Sequence, residues 1–95
     1  MTLRRPPAKA KRDANEPIIL TTLEAFGFSV FPLDLPLDAV VGYGGRTFLV
    51  EVKAAKGEFT DAQRKFLETW RGQHIVLRTH AEAAEWARKV RRGEL

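Results

Sequence analysis

The chain has no cysteine and only one methionine among its 95 residues. Without thiols it has no disulfide framework and no thiolate zinc site, in keeping with a reducing compartment. Histidine is nearly as scarce. His74 and His80 are the only two, and neither has the sequence partners that an imidazole-based metal site requires. No apolar run approaches the ~20 residues of a membrane span. The basic N-terminus is followed by no apolar h-region, so a cytoplasmic protein rather than a secreted one is expected. Gly42, Gly44 and Gly45 lack the Lys and Ser/Thr spacing of a phosphate loop, which argues against a nucleotide cofactor. Acid is also missing from one stretch. Residues 1–12 carry Arg4, Arg5, Lys9, Lys11 and Arg12 without a single carboxylate.

That stretch accounts for the whole positive balance. The formal net charge is +4, and the arm contributes five of the sixteen basic residues. Eleven remain against all twelve acids, so the body carries −1. We therefore divide the chain into a basic arm, 1–12, and one domain, 13–95. The arm, together with Lys56, is expected to touch phosphates. A merely solubilising tail is the plainer alternative. The basic cluster Arg88, Lys89, Arg91 and Arg92 suits a helix C-terminus and carries less weight. The chain's 44% hydrophobic and 29% charged content are those of a globular protein. A domain this small has a thin core, which a second copy or a nucleic-acid partner would help to stabilise.

The pattern predicts helix, three strands, helix, strand, helix. The first helix runs from about Asn15 to Phe26, with Asn15 as N-cap, Pro17 in the first turn and Gly27 as the stop. It places Glu16 on the same face as Leu20 and Leu23. Phe28 to Phe31 is a short strand. Asp38 to Gly42 and Thr47 to Lys53 form a hairpin about Gly44-Gly45. Thr60-Asp61-Ala62-Gln63 is a capping box, and Gln63, Phe66, Leu67 and Trp70 share the core-facing stripe of the helix it opens. His74 to Arg78 is a buried strand, parallel to the one bearing Glu51. Thr79 to Glu82 caps a last helix through about Arg91. Trp70 and Trp86 are read as core or dimer-interface residues rather than base-stacking platforms. The fold class is α/β, a mixed four-stranded sheet flanked by helices.

With Tyr43 and Arg46 closing the turn, paired residue numbers sum to 89. Asp38 then falls opposite Glu51, and Lys53 projects from the same face. Facing carboxylates destabilise a strand pair, and a semi-buried triad of net charge −1 is costly as a plain salt-bridge cluster. Two carboxylates beside an ammonium are instead suited to holding a divalent metal next to a proton-handling group.

These residues resemble the PD-(D/E)XK nuclease superfamily, the restriction-endonuclease-like fold. The resemblance rests on Glu16 near a helix start, Asp38 on the hairpin, Glu51-Val52-Lys53 as the E-x-K element, and the crossover helix and strand that follow; it covers about residues 12–88. Leu37-Asp38 stands where the family has Pro-Asp, with Pro36 one position earlier. Asp13-Ala14-Asn15-Glu16 and Thr60-Asp61-Ala62-Gln63 look like the virus-type replication-repair nuclease branch. Asp38 to Gly42 and Val50 to Lys53 are similar to archaeal-type Holliday junction resolvases, although Pro32 to Leu37 lacks the serine-containing loop of those enzymes.

The resemblance implies a Mg²⁺-dependent DNA endonuclease, with Mn²⁺ able to substitute, acting in repair or recombination as a homodimer on duplex or branched DNA. Carried over residue by residue, Asp38, Glu51 and the Val52 backbone carbonyl would ligate the metal. Lys53 would orient or deprotonate the attacking water, Glu16 would hold a second ion or a metal-bound water, and Gln63 would position Lys53, the water or the phosphate. The competing expectation is a DNA-binding module or accessory subunit that keeps the fold without the chemistry.

Overall fold

The computed structural model describes residues 14–95, so the arm bearing Arg4, Arg5, Lys9, Lys11 and Arg12 lies outside the described residues. Seven elements follow in the expected order: α1 (Glu16–Ala25), β1 (Ser29–Pro32), β2 (Ala39–Tyr43), β3 (Arg46–Val52), α2 (Asp61–Thr69), β4 (His74–Leu77) and α3 (His80–Arg91). The four strands form one sheet in the order β1-β2-β3-β4. The first two pairings are antiparallel and β3–β4 is parallel, which makes the domain α/β with a mixed sheet. No described helix is long and apolar enough to cross a membrane.

The hairpin turn sets the register. Gly44 and Gly45 have φ of +57° and +80°, the two left-handed positions that a two-residue turn of matching twist demands. Tyr43 therefore pairs with Arg46, and the ladder runs through Gly42–Thr47 and Val40–Leu49 to Ala39–Val50. It then stops, so β2 begins one residue later than the pattern suggests. The Asp38 N–H donates to the Val50 carbonyl at 2.9 Å, while the Asp38 carboxylate accepts the Val52 N–H at 2.7 Å. A side-chain oxygen thus takes the place of the next backbone acceptor.

Strand alternation sends Ala39, Val41, Phe48, Val50, Val52 and Leu77 to one face, where α1 and α3 bury them. Ile19, Leu20 and Leu23 of α1 meet Ala83, Trp86, Ala87 and Val90 of α3 in the same core. Trp86 is a core residue, edge-on to Phe48 with ring centroids 4.9 Å apart and 5.4 Å from Phe28. The opposite face carries Val40, Leu49, Glu51 and Val76. Beside it Phe31, which pairs with Val40, is 55% exposed.

Two local expectations are corrected by the structure. Asn15 occupies the N-cap position of α1, its carbonyl accepting the Ile19 N–H at 3.1 Å, but its side chain makes no cap bond. The capping box of α2 is fully formed. The Gln63 N–H donates to Thr60 Oγ1 (3.1 Å) and the Thr60 N–H to Gln63 Oε1 (3.0 Å). Its apolar stripe, however, is not core. No residue of α2 is buried, and Trp70 just beyond it is 38% exposed, stacked on Phe66 with its Nε1 donating to the Gln73 carbonyl. Nine residues on the second face give too little contact to exclude water. The 3.6-residue period reports which side faces the sheet, not how closely it packs.

Candidate metal centre on the β2–β3 hairpin

The residues that carry the sequence argument come together where β3 ends. Asp38 and Glu51 are 4% and 1% exposed; Asp38 precedes β2, one step beyond the last ladder pair, so the expected Asp38–Glu51 pair is not part of the ladder, and Asp38 instead bonds Val50 and Val52 on either side of Glu51. Glu51 Oε2 accepts from Gln63 Nε2 at 2.7 Å and lies 3.2 Å from Lys53 Nζ. The Lys53 ammonium also sits 5.6 Å from the Phe59 ring centroid, an aromatic face that holds a cation in a largely dry position. Three elements thus supply the cluster: the start of β2 brings Asp38, the end of β3 brings Glu51 and Lys53, and the first turn of α2 brings Gln63.

Gln63 joins helix start and site in one amide. Its Oε1 completes the capping box, which turns Nε2 toward Glu51. The backbone of Val52 adds a further group. Its N–H is turned toward Asp38, and in a strand the N–H and C=O of one residue point to the same neighbour, so the Val52 carbonyl opens on the Asp38 side. The donor set is two buried carboxylates and a backbone carbonyl, all hard oxygen, with one ammonium nearby. That set fits a Mg²⁺-like ion, which keeps several waters and takes few protein ligands, and suits zinc poorly.

The other expected site residues are placed less tightly. Glu16 is buried (4% exposed) in the first turn of α1. The described residues contain no group of three or more His, Cys, Asp or Glu side chains gathered as a metal cluster. Glu16, on a separate helix, is therefore not gathered with Asp38 and Glu51 into such a cluster. Lys56 is exposed in the loop after Lys53. His74 and His80 are exposed at the starts of β4 and α3. A groove lined by Ile75, Leu77, Trp86 and Lys89 runs between β4 and α3, and none of Asp38, Glu51 and Lys53 lines it.

Two contributors are not evident from the sequence. Asn15 Nδ2 donates to the Lys53 carbonyl (3.3 Å) and the Arg78 carbonyl (2.6 Å). Arg78 Nη1 donates to the carbonyls of Ala54 (2.6 Å) and Gly57 (2.9 Å). Such bonds span 21 to 63 residues, and no local pattern announces them.

Compared with known proteins, the chain matches no family model, no curated protein and no solved structure.

Proposed function

We propose that the protein is a metal-dependent endodeoxyribonuclease that hydrolyses phosphodiester bonds. The observation that carries this reading is the convergence of buried Asp38 and Glu51 with Lys53 and Gln63 at one end of the hairpin. Two carboxylates and a backbone carbonyl are the hard oxygen donors that a divalent cation such as Mg²⁺ prefers. Such a cation would be held by Asp38, Glu51 and the Val52 carbonyl. Bound there, it would polarise the scissile phosphate and lower the pKa of an attacking water.

The protein's own groups do the remaining work. Lys53, ion-paired with Glu51 and beside the Phe59 ring, would as an ammonium orient the attacking water by donating to it, or stabilise charge developing on the phosphate. Gln63 donates to the Glu51 carboxylate and fixes its orientation. Glu16 serves a second ion or an outer water. Branched DNA such as a four-way junction is the substrate class suggested by the resemblance in Asp38 to Gly42 and Val50 to Lys53. A homodimer is favoured by the apolar strip of Phe31, Val40 and Leu49 on the sheet face that α2 leaves partly open.

The second reading is a DNA-binding module or accessory subunit without cleavage, favoured by the basic arm. Incubation with linear, single-stranded, flapped and four-way-junction DNA, each with Mg²⁺, Mn²⁺ or EDTA, separates the two. Metal-dependent products of defined length support the nuclease. Retention of DNA without products in either metal supports the binding module.

A further inference from the structure

The segment leaving Lys53 is held by two side chains from distant parts of the chain. β3 ends at Val52, so Lys53 lies just past the last strand residue, anchored there by its N–H to the Leu77 carbonyl at 3.1 Å. Beyond it, the carbonyls of Ala54, Ala55 and Gly57 all accept from Arg78 Nη1, at 2.6, 3.4 and 2.9 Å. The Lys53 carbonyl accepts from Asn15 Nδ2, and the same amide nitrogen donates to the Arg78 carbonyl. Asn15 therefore stands at the meeting point of three chain segments: the entry to α1, the end of β3 and the end of β4. Only the Nδ2 end of the amide can face two carbonyls, because an oxygen there would oppose two acceptors. Oδ1 is buried and meets no donor among the described residues, so the two carbonyls alone fix how the amide is turned.

We infer that Asn15 is a positioning residue for the site: it ties the first turn of α1, which carries Glu16, to the backbone of Lys53. This rests on the nuclease reading proposed above. The physical argument is that Lys53 lies past its strand, so its side chain is aimed by whatever fixes its own carbonyl and the carbonyls after it. Arg78 holds the outer carbonyls, and Asn15 holds Lys53 itself while locking Arg78 in place through the Arg78 carbonyl. Glu16 is covalently next to Asn15, so the bridge sets the start of α1 relative to the end of β3.

Asn15→Asp is the sharpest test. Aspartate is as good as asparagine at a helix start and adds a favourable charge for the dipole. It is also nearly isosteric. It lacks the donor, however, and would set a carboxylate against two carbonyls. Asn15→Ala removes the bridge without repulsion. Both variants and the parent are examined as full-length chains, with thermal melts locating a temperature at which all three are folded. Cleavage kinetics with Mn²⁺ are then compared there.

The expected result is a kcat lowered roughly tenfold to a hundredfold in both variants, the scale on which a misplaced reacting group costs rate. KM should be little changed, and Asn15→Asp should be no better than Asn15→Ala. If Asn15→Asp cleaves like the parent, Asn15 is only a helix-start residue and the inference falls. If the variants melt lower but share the parent's kcat while folded, the bridge is structural only and the inference falls equally. A parent that cleaves none of the DNA substrates overturns the nuclease reading itself and this inference with it, an outcome distinct from an active parent with indifferent variants.

Discussion

Substituting Asp38 by Asn separates a metal ligand from a structural acceptor, and its expected energetics follow from the geometry. The Asp38 carboxylate accepts the Val52 N–H at 2.7 Å in a buried position. The asparagine carbonyl can keep that bond, but a charge-assisted bond becomes a neutral one, a loss of about 1 kcal/mol. The same change removes one of two buried anions at the end of the hairpin, a relief of about 0.2–1 kcal/mol if they act as a cross-strand like-charge pair. In metal-free protein the two effects nearly cancel. The variant should therefore melt within a few degrees of the parent, since 1 kcal/mol shifts the midpoint of a domain this size by roughly 4–8 °C. Metal changes the comparison. At about one hundred times its dissociation constant, an ion that binds only the folded state stabilises by ~2.7 kcal/mol, or roughly 10–20 °C. The parent should gain that increment from Mg²⁺ at constant ionic strength, and Asp38→Asn should lose most of it. Four thermal midpoints, each protein in EDTA and in Mg²⁺, decide the matter. A parent indifferent to Mg²⁺, with an Asp38→Asn variant that is much less stable in EDTA, would show that the carboxylate only replaces a missing backbone acceptor.

Other substitutions probe the remaining parts. Asp38→Ala, Glu51→Ala and Lys53→Ala should each abolish cleavage in a gel assay while circular dichroism shows a folded chain, and Glu16→Ala should slow it less completely. Gln63→Glu keeps an acceptor for the Thr60 N–H but sets a carboxylate against Glu51, so helix content should hold while cleavage falls; undiminished cleavage would remove Gln63 from the site. Deleting residues 1–11 removes Arg4, Arg5, Lys9 and Lys11. If all four contact duplex DNA, the log K against log salt slope should flatten by about 3–4 units at roughly 0.9 per contact, and an unchanged slope would make the arm a bystander. Leu23→Ala, at a fully buried position between α1 and the sheet, should cost about 2–5 kcal/mol in denaturant unfolding.

What could be read from the sequence was what is determined locally. Gly44-Gly45 fixes its turn through the φ > 0 requirement, and the turn fixes the register from Tyr43–Arg46 to Ala39–Val50. Extending that register sets Asp38 opposite Glu51, but the ladder ends one pair short, and Asp38 bonds Val50 and Val52 instead. The capping box at Thr60 is equally local, and its geometry is what delivers Gln63 to Glu51. The misreadings occurred where the competing partner was distant in the chain. Asn15 has the composition of an N-cap, but two carbonyls 38 and 63 residues away claim its amide. Arg78 reads as the end of a strand, yet its side chain organises the loop after Lys53. The apolar stripe of α2 is correctly oriented, but its burial depends on how much covers it from outside, which periodicity does not encode.

The small helix above the carboxylates has a consequence for access. α2 spans nine residues, below the ~12–15 at which isolated helices become marginal, and it buries no side chain. It is fastened mainly at its first turn, by the capping box and by the bond from Gln63 to Glu51. Such a segment belongs to the low end of the range of local opening free energies, while the β2–β3 hairpin belongs to the high end. In an amide hydrogen-exchange experiment, residues 64–68 should lose protection well before those of β3. Each opening withdraws Gln63 and uncovers Glu51 without disturbing the strand that carries it. Solvent and ions would then reach a carboxylate only 1% exposed in the closed form at a rate set by the fraying of one helical turn rather than by unfolding of the domain.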